Sequence, residues 1–194
     1  MENSIWTETL ATFREKAGGT DPVPASIAIS AVAASLALAL LAKVLAIAGK
    51  RKNVSALLDT ARAESLLLKA LADEDILAFN QYMECKRQGR ELTDAIRKAI
   101  EVPMSAARSA VRGLGICGEA AGMVQGLTAA DIGAAAALLF GAVQAMLLSV
   151  DFNIREMSAD DRFSDAITAE RRELERDTLR LAEAVRSRMG ALLE

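Results

Sequence analysis

Two stretches decide the fold of this 194-residue chain: Val23 to Ala42, VPASIAISAVAASLALALLA, and Ile132 to Val150, IGAAAALLFGAVQAMLLSV. Neither carries a charge, and each is close to the ~20 residues that span a bilayer as a helix. Length alone therefore admits a helical hairpin in lipid. Composition favours burial in protein instead. Both runs are filled with Ala, Ser and Gly rather than Leu, Ile and Phe, and neither has the Trp or Tyr that anchors a span at the membrane interface. Small residues also suit close packing inside a bundle or across a subunit interface. A secretory signal fits poorly, because Glu2, Glu8, Arg14 and Glu15 precede the first run where a basic segment is wanted.

Around these runs the pattern is helical. Ile5, Trp6, Leu10 and Phe13 share a face, which predicts a short amphipathic helix ending at Gly18-Gly19; TDPVPAS is the clearest loop. The first apolar helix runs from Ser26 to about Ala48 and is stopped by Gly49 and the basic Lys50, Arg51 and Lys52. From Val54 to Gln88 the leucines recur every three or four residues, as one long helix or two stacked ones, until Gly89 breaks the pattern. A helix over Leu92 to Ile100 follows. Pro103 is expected to open the next, at a position where its missing N–H costs nothing, and that helix runs to about Met123. The second apolar helix follows Gly126-Leu127-Thr128, and the charged tail from Ala159 to Leu193 reads as a long surface helix. No strand-like alternation occurs. The expectation is an all-α, multi-helix bundle over residues 1–194 as a single domain, with six to eight helices and two central apolar helices enclosed by amphipathic ones. Two such helices imply more burial than one small bundle supplies, so a homodimer sharing them is the natural solution, with a larger monomeric bundle as the alternative.

The chain is 52% hydrophobic and 25% charged, with 12 Gly and only 3 Pro, which excludes disordered, collagen-like and Pro-rich classes. Its 23 basic and 26 acidic residues give a net charge of -3, so no basic surface recommends a nucleic-acid partner. Histidine is absent. That removes Ser-His-Asp and Cys-His nucleophile pairs and His-containing zinc sites, leaving Asp, Glu, Lys, Tyr, Cys and polar groups for any catalysis. Cys85 and Cys117 lie far apart with no CxxC spacing, so no metal site or disulfide framework is indicated, and both are expected as reduced thiols in or near the core.

Four segments arrive in a distinctive order: DEDILAFN (Asp73 to Asn80), EVPMSAAR (Glu101 to Arg108), ADIGAAAALL (Ala130 to Leu139) and SVDFNIREM (Ser149 to Met157). With Gly49-Lys50-Arg51-Lys52 ahead of them, the set resembles the formiminotetrahydrofolate cyclodeaminase and methenyltetrahydrofolate cyclohydrolase family over nearly the whole chain. The resemblance implies an all-helical fold, usually dimeric with the substrate site near the subunit interface, and a cytoplasmic life without membrane attachment. It also implies a tetrahydrofolate derivative as substrate and no permanently bound cofactor or metal. The departures matter too. The family's Pro-Gly-Gly-Gly-Ser loop reads Pro22-Val23-Pro24-Ala25-Ser26, its Asn-Leu-Thr before Gly-Lys-Lys reads Leu45-Ala46-Ile47, and the first Asn of its last motif is Ser149, with Asn153 retained. Glycines that let backbone approach a ligand are absent from the loop. An alternative follows: a divergent homologue that has lost folate, acting on another small cyclic substrate or serving as a non-catalytic helical dimer.

Hydrolysis of a methenyl bridge needs a base to deprotonate attacking water and an acid to protonate the departing nitrogen; cyclodeamination closes the same ring and expels ammonia through a tetrahedral intermediate. Carboxylates suit both, and an anion also stabilises the cationic amidinium. Asp75 is the first candidate, against the plain reading of Asp73, Glu74 and Asp75 as a solvated acidic turn capping a helix. Asp131 is the second, against a role as cap or first-turn acid of the second apolar helix. Lys50 is the third catalytic candidate and Arg51 a cation for a folate glutamate tail, against a simple interaction with the helix dipole. Ser26 and Asn153 are candidate substrate contacts, against a cap and an interhelical tie. Tyr82 is expected in the core. A lone domain with no formiminotransferase attached favours hydrolysis.

Overall fold

The computed structural model describes residues 4–49, 54–124, 126–157 and 162–191. Among them are a 3-10 turn, Ile5–Thr7, and six α-helices: α1 (Leu10–Ala17), α2 (Ser26–Ala48), α3 (Val54–Arg87), α4 (Thr93–Ala120), α5 (Leu127–Ile154) and α6 (Arg162–Gly190). No strand occurs among the described residues. α2, α3, α4 and α5 close into an up-down-up-down four-helix bundle in which each packs on two neighbours, and α6 lies across α4 and α5. Antiparallel pairing is visible in the side-chain ties. Ser35 meets Ser65 across α2 and α3, and Glu64 accepts from Ser109 and Arg112 across α3 and α4. Ser26 meets Ser149 across α2 and α5.

Three sequence expectations are corrected. Ile5 through Phe13 do not form one helix, because the Thr9 hydroxyl accepts from the Thr12 N–H at 3.1 Å and starts α1 separately. Pro103 does not open a helix; it sits inside the continuous α4. The stretch holds because Val102, Pro103 and Met104 are buried, and because the Ala99 carbonyl left without its usual donor takes a hydrogen bond from Asn153 Nδ2 at 2.7 Å. Finally, the two apolar helices are not enclosed on every side. Ile29, Leu36 and Ile47 of α2 and Leu138, Leu148 and Phe152 of α5 are exposed, although the inner faces hold the largest buried side chains, Leu38, Leu41, Leu139 and Met146 among them.

At the centre α4 approaches α2 and α5 closely at Gly113, where a Cβ would stand 2.8 Å from Leu38 Cδ2 and 3.1 Å from Leu139 Cδ1. α6 is held differently. It buries only Ile167, Thr178 and Val185 and is fastened by ion pairs, Arg108 to Glu170 at 2.8 Å and Arg171 to Asp151 at 2.9 Å, while Glu175 of α6 itself also pairs with Arg171. α2 and α5 are long and apolar enough to cross a membrane, yet each is a wall of this bundle.

Candidate active site

At the end of the bundle where α2 begins and α5 ends lies a cavity of about 470 Å³. α3 contributes Asp75, Ala78, Phe79 and Tyr82, which are spaced i, i+3, i+4, i+7 and so share one helix face. α5 contributes Ser149, Phe152 and Asn153, and the turn that follows it contributes Glu156. α4 supplies Ile96 and Ala99, and the loop before α2 supplies Val23 and Ala25. Asp75 and Glu156 are the charged groups of this lining, and three aromatic rings stand beside them. Such a cavity takes a flat, partly apolar ring that offers hydrogen-bond donors or positive charge.

The DED motif is not a capping turn, since all three acids lie in the middle of α3 and each has its own partner. Asp73 accepts from Ser4 Oγ at 2.7 Å and from the Ile5 N–H at 3.0 Å, fixing the N-terminal turn. Glu74 pairs with Lys98 of α4. Asp75 faces the cavity, where burial pushes its carboxyl up to about 6 from an ordinary 3.8, against the pull of a hydrogen bond from the Ala28 N–H. That bond gives the first turn of α2 a carboxylate partner from another helix, at the end where the helix dipole is positive. A carboxyl of this kind changes protonation in the range where acid-base work is done.

Ser26 also belongs to the cavity, but it does not cap α2; its hydroxyl lies 3.0 Å from that of Ser149, which itself donates to the Ala145 carbonyl. Asn153 both lines the cavity and ties α5 to α4. The structure thus brings Asp75, Ser26 and Asn153 together. It places Asp131 elsewhere. Asp131 precedes Ser149 by 18 residues on α5, about 27 Å at 1.5 Å per residue, and its partner is Lys43 at 4.0 Å. It lies beyond the N-terminal turn of α5, which starts at Leu127 after Gly126, so a capping role does not describe it either. Lys50 and Arg51 lie outside the described residues.

Phe79, Tyr82, Ser149, Phe152 and Glu156 line the cavity without having been singled out as site residues in the sequence. Tyr82 packs on the core as expected and reaches the cavity as well, with Lys86 Nζ 5.7 Å from its ring centroid. The signal was the helical spacing from Asp75 and from Asn153. Cys117 is buried, and burial drives its thiol up to about 12, so it has no thiolate to offer; Cys85 is half-buried and free.

Residues 9–173 match the family model described as formiminotransferase-cyclodeaminase. Among solved structures, a formiminotetrahydrofolate cyclodeaminase from Thermotoga maritima superposes with a TM-score of 0.90 at 23% identity, covering 98% of this chain and 100% of that one. At that identity the likeness speaks for the fold. No curated protein matches the chain.

Proposed function

Because the chain belongs to the formiminotransferase-cyclodeaminase family, we propose that it is a folate-dependent one-carbon enzyme, a methenyltetrahydrofolate cyclohydrolase or a formiminotetrahydrofolate cyclodeaminase. The observation that carries this reading is Asp75: a carboxyl raised to about 6 by burial, in an aromatic-walled cavity with no cation among the described residues that line it in this chain. In hydrolysis the ionised Asp75 takes a proton from water as its oxygen bonds to the amidinium carbon. It then returns that proton to the ring nitrogen as the carbon–nitrogen bond breaks, and the remaining proton on the former water oxygen passes to solvent as the C=O forms, leaving the formyl product. In cyclodeamination the same group moves a proton from the side-chain amine nitrogen that attacks the formimino carbon to the nitrogen that departs as ammonia when its bond to that carbon breaks. Phe79, Tyr82 and Phe152 give the pterin its apolar contacts, while Ser26, Ser149 and Asn153 meet its polar edge. Glu156, exposed at the same cavity, takes the place of second carboxylate for which Asp131 was the candidate.

The same proposal covers one domain over residues 1–194, a homodimer formed through the outer face of α2 and α5, a cytoplasmic location and no resident cofactor. One observation favours the second reading, in which folate has been lost. Val23 and Ala25 stand in the cavity wall at the loop positions that are glycine in the family's pattern, narrowing the space for a ligand. Calorimetric titration with 5-formyltetrahydrofolate, followed by a methenyltetrahydrofolate hydrolysis assay and an ammonia-release assay on the formimino compound, decides between them. Saturable binding with turnover above the spontaneous rate supports the folate enzyme. A folded protein that binds no folate overturns it in favour of another small cyclic substrate or a non-catalytic dimer.

A further inference from the structure

In a regular helix the Ala99 carbonyl accepts from the N–H of the residue four positions on, and in α4 that residue is Pro103, which has none. Its ring also crowds the same carbonyl. The oxygen instead accepts from Asn153 Nδ2 at 2.7 Å, across to α5, and both Ala99 and Asn153 line the cavity. An Asn amide carries two N–H donors and one acceptor oxygen. With Nδ2 committed to a carbonyl the amide cannot flip, because a flip sets oxygen against oxygen. We infer that Pro103 is a positioning residue for the cavity: by leaving the Ala99 carbonyl without an intrahelical donor it fixes the Asn153 amide in one orientation, with Oδ1 kept to accept from an N–H or amino group on the bound ring. The ligand half of this inference rests on the folate reading; the tie itself does not.

Pro103→Ala is the test, since it restores a backbone donor and removes a helix-disfavouring residue, so folding is not at risk. Its melting temperature is expected at or above the wild-type value, while affinity for 5-formyltetrahydrofolate by calorimetry falls about tenfold, the scale of one oriented hydrogen bond. Asn153→Ala should weaken binding by a similar factor, and Pro103→Ala should add nothing in that background, because the proline acts through the amide. The Asn153 side-chain amide resonances should shift and exchange faster in Pro103→Ala. Unchanged affinity in Pro103→Ala beside normal wild-type binding overturns the inference, and so do additive effects of the two substitutions. If the wild-type protein binds no folate, the proposed function falls by itself, and the amide spectrum decides the tie: shifted resonances support it, unshifted ones overturn it.

Discussion

Asp73, Glu74 and Asp75 are chemically near-identical neighbours, and each helical step of about 100° turns the next one toward a different surface. Asp73 binds the N-terminal turn, Glu74 pairs with Lys98, and Asp75 enters the cavity. Asp75→Asn keeps the shape and the chance of a bond from the Ala28 N–H but cannot exchange a proton. Turnover should fall by about 10² or more with KM for the folate substrate little changed, read from steady-state rates on a protein with unaltered circular dichroism. Stability gives a second readout. The folded-state value of about 6 lies above the ordinary 3.8, so the native state holds a proton that the unfolded chain has released. The group's contribution to stability is therefore fully present below about pH 4 and is lost as pH rises through 6. Urea melts across that window should show wild-type stability falling relative to Asp75→Asn; parallel curves would contradict the burial assigned to this carboxyl. Asp75 was legible because its motif carries a family resemblance. Glu156 was not, because an exposed acid near a helix end looks like any other until the end of α5 is placed against α3.

α4 shows which parts of a helix a sequence reveals. The apolar runs of α2 and α5 and the leucine steps of α3 announce themselves, since their periodicity is local and the breaks fall at glycines. Pro103 misleads because the hydrogen bond it denies the Ala99 carbonyl is replaced by Asn153, 54 positions from Ala99, a partner that no local pattern contains. The glycines of α4 are equally silent in sequence and differ sharply in place. A methyl at Gly113 meets two fully buried leucines, Leu38 at 2.8 Å and Leu139 at 3.1 Å, whereas at Gly115 nothing lies within 4 Å. Gly113→Ala should lose about 1–2 kcal/mol, the cost of overpacking less the gain in helix propensity. Gly115→Ala should gain up to about 1 kcal/mol from propensity alone. Chemical denaturation of the two variants checks this, and a stabilised Gly113→Ala would mean that α4 does not approach α2 and α5 as described.

For the whole molecule, the outer face of α2 and α5 is the feature a single chain leaves unexplained. On α2 the outward positions Ile29, Ala33, Leu36, Leu40, Lys43 and Ile47 alternate by three and four residues, and on α5 so do Ala134, Leu138, Gly141, Ala145, Leu148 and Phe152. The two stripes adjoin, because Lys43 pairs with Asp131 and Ser26 meets Ser149 along their seam. Such a face carries little charge and has Gly141 and Ala145 at the middle of its α5 stripe beside Leu36 and Leu40 of α2, and a second copy with the same face is its simplest cover. Leu36→Glu, at a position 55% exposed and so harmless to the isolated fold, should halve the mass measured by light scattering; an unchanged mass would exclude this face as the interface. If the twofold axis crosses the stripes near their midpoint, the Asp75 end of one copy meets the end of α2 of the other, with Asp131 and Lys43; Lys50, two positions after Ala48 in the sequence, is the catalytic candidate to test there. Residues about 30 Å apart along one helix would then serve one site from two chains. Complementation tests this directly. Asp75→Ala and Lys50→Ala proteins, each inactive alone, should after unfolding and co-refolding recover about a quarter of wild-type activity, since half the dimers are mixed and each mixed dimer keeps one intact site of two. Co-refolded protein that stays inactive would place Lys50 outside the reaction across the interface.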